Sequence, residues 1–159
     1  MEKPKVYFSD MHATEDLNLP QKFERLLRKA GMMDIDFQNK FVAIKLHFGE
    51  LGNLAFLRPN YAKVVADLVK EGGGKPFLTD CNTLYVGSRK NALDHLDTAY
   101  LNGFSPLQTG CQVIIADGLK GTDETLVPIN REYIKEAKIG HAIMDADIVI
   151  SLSPFKGHE

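Results

Sequence analysis

Short apolar runs alternate along the chain with stretches whose apolar residues recur at helical spacing. "KVYFSD" (5–10) predicts a first strand, and "LPQKFERLLRKAG" follows with Leu19, Phe23, Leu26, Leu27 and Ala30 on one helical face. Pro20 falls where a first-turn proline is tolerated and Gly31 suits a C-terminal cap. "FVAIKLHF" (41–48), rich in β-branched and aromatic residues, predicts a second strand. "RPNYAKVVADLVKEGGG" repeats the helix grammar, with Tyr61, Val64, Val65, Leu68 and Val69 on one face. "KPFLTDC" predicts the third strand, and the next helix carries Leu93, Leu96, Ala99 and Tyr100 as its buried stripe. "CQVIIADG" is the fourth strand, its apolar run suited to burial on both faces. The polar stretch 119–134 predicts an excursion with a short hairpin. "YIKEAKIG" predicts a strand, "HAIMDA" a short helix and "DIVISLS" a last core strand.

This alternation implies parallel βαβ units with right-handed crossovers. The expected fold is a single α/β domain over residues 1–159: a three-layer, mostly parallel twisted sheet with helices on both faces, Rossmann-like and doubly wound. Composition agrees, since the hydrophobic fraction of 44% and charged fraction of 25% are ordinary for globular chains. The net charge is −2 with no dense Lys/Arg cluster, which argues against nucleic acid or an anionic membrane as partner. No apolar run has the length of a spanning helix or of a signal-peptide core, so the expected location is cytoplasmic. Cys81 and Cys111 lack a CxxC pairing and are expected as free thiols.

Ligands of open parallel sheets bind beyond the carboxyl ends of the strands, where helix N-termini face the same space. Polar and ionisable residues recur at that edge: Ser9, Asp10 and His12; His47, Glu50 and Asn53; Thr79, Asp80 and Asn82, with Tyr85, Ser88 and Arg89 downstream; Asp117; and Ser151, Ser153, Lys156, His158 and Glu159. The opposite edge, at "GGGKP" and "TGCQ", holds small residues and turn formers. A single Asp after a strand is commonly a helix cap or turn former, and His95 and His141 are expected as packed, surface or helix-start residues. His47 differs because it interrupts a buried strand before a glycine loop.

Three chemistries suit this edge. His47, Glu50, Asp80, Asp117 and His158 are ligand types for a divalent metal, with His47, Asp117 and His158 the candidate metal or acid/base set. Lys45, Arg58, Arg89 and Lys156 could hold a phosphate or carboxylate. Nucleophilic catalysis by Cys81 beside His47 ranks third. No GxGxxG follows a strand and no Walker A loop is present, so neither nicotinamide nor P-loop nucleotide binding is indicated.

"KLHFGELGN", "KPFLTDCNTLYVGSR", "VIIADGL" and the closing "SLSPFKGHE" together resemble the bacterial and archaeal family called domain of unknown function 362. In that family the last motif is commonly followed by more α/β structure and, in many members, by a ferredoxin-like segment binding [4Fe-4S] clusters. The resemblance implies that residues 1–159 are the N-terminal portion of a longer protein whose remainder would carry the cluster. Together with the strand-end residues it suggests the α/β portion of an iron-sulfur-linked redox or metal-dependent enzyme, for which the residue reading offers His47, Asp117 and His158 as catalytic candidates. Glu50, Asn53, Asp80, Asn82, Arg89 and Lys156 would contact the ligand. The alternative is a non-catalytic binding module for a small anionic ligand or a redox partner. An isolated portion could recover coverage of its last strand as a homodimer.

Overall fold

The computed structural model describes residues 3–155. Four parallel strands, β1 (Phe41–Lys45), β2 (Lys75–Asp80), β3 (Gln112–Ile115) and the later Ile148–Ser151, form one sheet. Between the last two in sequence lies an antiparallel hairpin of β4 (Glu124–Pro128) and β5 (Glu136–Gly140), so Ile148–Ser151 is β6 and the sheet order is β3-β2-β1-β6. The helices are α1 (Leu19–Lys29), α2 (Pro59–Glu71), α3 (Ala92–Leu101), α4 (Pro106–Thr109) and α5 (His141–Met144). A parallel sheet flanked by helices is the expected three-layer α/β arrangement.

Local chemistry explains the main elements. Asn18 and Gln21 close a reciprocal capping box at the start of α1. Asn91 accepts the backbone N–H groups of Leu93 and Asp94 to start α3. One sheet face presents Val42, Ile44, Leu78 and Val113 to Val65, Leu68 and Val69 of α2, and this cluster is the core. The opposite face carries Phe41, Phe77 and Ile114 beside Ala142 and Ala146 at α5, and Phe41 and Ile114 stay exposed there.

Two expectations require correction. Residues 5–10 form no strand: Val6 and Phe8 are 90% and 86% exposed, and the place beside β1 opposite β2 is taken by β6. Alternating apolar residues need a pairing partner to become a strand, and this segment has none among the described residues. In α3 the buried stripe is rotated. Leu93 and Tyr100 are exposed, while His95, Thr98 and Ala99 face inward. The helix buries two polar side chains because both have partners below: Thr98 donates to the Ser88 carbonyl at 2.9 Å and His95 meets the Asn82 amide.

Candidate functional site

The loop after β1 is built tightly. Gly49 has φ +86°, and a Cβ there would come within 2.6 Å of Phe56 and 2.8 Å of Asn102 Nδ2. Only glycine fits this position. The Asn102 side chain donates to the Phe48 carbonyl at 2.9 Å, and the Gly49 N–H donates to His47 Nδ1 at 2.9 Å. An accepting Nδ1 places the proton of a neutral imidazole on Nε2. The turn also carries Glu50 across to the loop that follows β2.

There Glu50 meets Arg89, which is only 3% exposed. Arg89 donates to Glu50 Oε1 from Nε (2.8 Å) and Nη2 (2.5 Å), and from Nη1 to Asp80 Oδ2 at 3.3 Å. Tyr85 accepts from Arg89 Nη2 and donates to Glu50 Oε1, both at 2.8 Å, and Ser88 donates to Glu50 Oε2 at 3.3 Å. Burial pushes the Glu50 carboxyl up, but the bonds from Arg89 and Tyr85 outweigh it and hold the group below its ordinary value. Burial opposes charge on Arg89, yet Glu50 keeps its pKa raised. Asp80 lies deeper, and burial raises its pKa although Lys45, 3.4 Å from Oδ1, and Arg89 pull the other way.

Below this cluster, Asn82 ties β2 to β3. Its backbone N–H reaches both Asp117 oxygens at 3.0 Å, and its Nδ2 donates to Asp117 Oδ1 and the Gly118 carbonyl at 2.9 Å. Asp117 therefore acts here as a clamp on the loop. Cys81 is half-buried, and burial first, then the charges of Asp117 and Asp80, push its thiol up to about 11. It stays protonated at neutral pH and is a poor nucleophile.

A cavity of about 330 Å³ opens at this edge, lined by His47, Glu50, Asn53, Phe56, Tyr85 and Arg89 among others. His47, Glu50, Asn53 and Arg89 are thus brought to one wall. Asp80 joins them through Arg89, and Asn82 and Asp117 form the layer beneath. Lys156 and His158 lie outside the described residues. Among the described residues no group of three or more His, Cys, Asp or Glu side chains is arranged to hold a metal ion. The candidate carboxylates are engaged instead by Arg89, Lys45 and Asn82. Of the cations considered for an anionic group, Arg89 and Lys45 are held by carboxylates, and Arg58 is the residue before α2.

Sequence reasoning underrated Tyr85 and His95. Tyr85 stands four residues before Arg89, a spacing that lets both reach one carboxylate. His95 gave no local signal, since its position in α3 reads alike whether the ring meets solvent or the core. A second cavity, about 290 Å³, lies between residues 9–11, α1, Tyr61 and Leu152. Its walls are mainly apolar, with the Lys22–Asp10 ion pair among them.

The family model described as "Domain of unknown function (DUF362)" matches residues 42–159. Thylakoid-associated protein sll1697 of Synechocystis sp. (strain ATCC 27184 / PCC 6803 / Kazusa) is 30% identical over 107 residues, covering 67% of this chain and 30% of that protein. The chain thus matches less than a third of that relative's length. No solved structure matches. The matched region begins in β1 and takes in the His47–Glu50 turn, the Asp80–Arg89 loop and Asp117, so the strand-end cluster lies wholly inside it, and the chain belongs to the DUF362 family.

Proposed function

We propose that this chain is the α/β ligand-binding portion of an iron-sulfur-linked redox or metal-dependent enzyme acting in the cytoplasm. Its ligand seat is the cavity at the carboxyl edge of β1 and β2. The observation that carries this reading is Arg89, a buried guanidinium bridging Glu50 and Asp80 directly behind a cavity with His47 in its wall. Buried charges of this kind hold a site in shape before a ligand arrives. Phe56 offers an apolar surface, Asn53 and Glu50 offer polar contacts, and His47 is the acid/base group. Lys156 would contact an anionic group of the ligand, and His158 would supply a second acid/base or metal-binding imidazole. A metal held by His47, Asp117 and His158 would have to compete with the Asn82 donors for Asp117. The cluster itself would reside in the part of the protein beyond this sequence.

The second reading is a non-catalytic module for a small anionic ligand or redox partner. It is favoured by the pairing of every carboxylate in the cluster with a cation or an amide. Thermal stabilisation by inorganic phosphate and by acetate separates the cavity from the rest of the surface. Under both readings, wild type is stabilised by mass action and Arg89→Ala, which removes the buried cation of the cluster, is not. Equal stabilisation of both proteins would remove the cavity as the seat. His47→Ala then distinguishes the two: an enzyme keeps ligand binding and loses turnover of its substrate in the full-length protein, whereas a binding module has no turnover to lose.

A further inference from the structure

His95 presents an unpaired atom where pairing is the rule. The residue is fully buried, and Nε2 is a buried side-chain atom without a hydrogen-bond partner among the described residues. Its chemical state follows from its neighbours. Asn82 Nδ2 points at two groups that only accept, Asp117 Oδ1 and the Gly118 carbonyl, which fixes the amide so that Oδ1 faces His95 Nδ1 at 3.4 Å. That oxygen only accepts, so Nδ1 carries the imidazole proton and Nε2 carries a lone pair. Asp80 Oδ2 lies 4.0 Å from that atom. Two acceptors thus face each other, and a shift of about 1 Å would let one proton bond both.

We propose that Asp80 and His95 form a buried proton-sharing pair beneath the cavity, taking up one proton from solvent onto Asp80 Oδ2, which then donates to His95 Nε2. The groups around Asp80 favour this placement of the proton. Lys45 reaches it from the end of β1 and Arg89 from the loop, while the Cys81 N–H binds Oδ1. The Cys81 thiol is the nearest neighbour in sequence, Asp117 lies across at the end of β3, and Glu50 and His47 act from the β1 loop. Burial disfavours both the Asp80 carboxylate and the His95 imidazolium, and Arg89 further opposes charge on the ring. A neutral acid donating to a neutral imidazole satisfies both.

Proton uptake changes the cavity floor. With Asp80 ionised, Lys45 and Arg89 face two carboxylates, Asp80 and Glu50, and the cluster is neutral. With Asp80 protonated, one positive charge is left over, and part of the Arg89 guanidinium loses its carboxylate. The pair therefore couples proton uptake to capture of an anionic group at the cavity. This consequence rests on the ligand reading above, whereas the proton pair does not.

Nitrogen and carbon NMR of the free protein across pH 5 to 8 tests the pair directly. His95 should keep its proton on Nδ1 throughout, and its Nε2 resonance should move with the Asp80 carboxyl carbon at one shared midpoint above the ordinary carboxylate range. In Asp80→Asn, whose amide donates permanently, the Nε2 resonance should stop responding to pH. A proton on Nε2 in the wild type, conversion to imidazolium within this range, or an Asp80 transition that leaves Nε2 unmoved would each overturn the pair. The capture arm is read separately, as tighter binding of inorganic phosphate at pH 5 than at pH 8 in wild type and a flatter dependence in Asp80→Asn. Loss of that difference with the NMR signature intact would refute the coupling and leave the pair standing.

Discussion

Arg89 concentrates the consequences at the residue scale. Removing it leaves Glu50 and Asp80 facing each other without their shared cation, so Arg89→Ala should cost about 3 kcal/mol in chemical denaturation, toward the lower end because Glu50 keeps some solvent. Arg89→Lys should recover only part of this, since an ammonium cannot span both carboxylates as the planar fork does. His95 makes a pH-dependent contribution. Burial, then Arg89, lower its pKa from 6.5 to about 4, so the unfolded chain binds a proton in that window and the native one does not. Stability from this group is present above pH 6.5 and lost as pH falls toward 4, by up to about 3 kcal/mol. The difference in stability between wild type and His95→Phe should narrow over that interval. Asp80 works in the opposite sense: its raised pKa keeps a proton on the native state, a contribution lost as pH rises. The sequence made His47, Glu50 and Arg89 visible as polar interruptions at strand ends. It hid His95, because a histidine within a helix has the same local pattern whether its ring meets solvent or a buried aspartate.

At the scale of elements, the turn after β1 is the most constrained. Gly49→Ala combines a left-handed backbone with contacts under 3 Å, and should destabilise by about 1–3 kcal/mol while disturbing Glu50. Asn18→Ala, which opens the α1 capping box, should cost about 1 kcal/mol and leave ligand binding unchanged. Together these substitutions separate a turn that shapes the site from a cap that only holds a helix. Most strands and helices were legible because period-two and period-3.6 patterns are local properties. Residues 5–10 show the limit: "KVYFSD" has a strand's composition, but composition does not supply a neighbour, and β6 occupies the place beside β1. The phase of α3 was misjudged for a related reason, since Leu93 and Tyr100 yielded the interior to side chains with specific polar partners.

For the whole molecule, crossover connections order the sheet so that loops from β1, β2 and β3 meet at one edge, and the two-strand hairpin and α5 carry the chain back to β6. No helix among the described residues is long and apolar enough to cross a membrane. The family assignment covers the strand-end cluster, and the match to about a third of the Synechocystis relative leaves the whole protein's activity as a proposal. The central claim is that the anionic ligand sits against Arg89, Glu50 and His47. Its most direct test is amide chemical-shift mapping of the protein titrated with inorganic phosphate at pH 5. The largest shifts should cluster at 47–56 and 80–95. Shifts centred on Phe23, Tyr61 and Leu152 at the second cavity, or no saturable shifts anywhere, would contradict it.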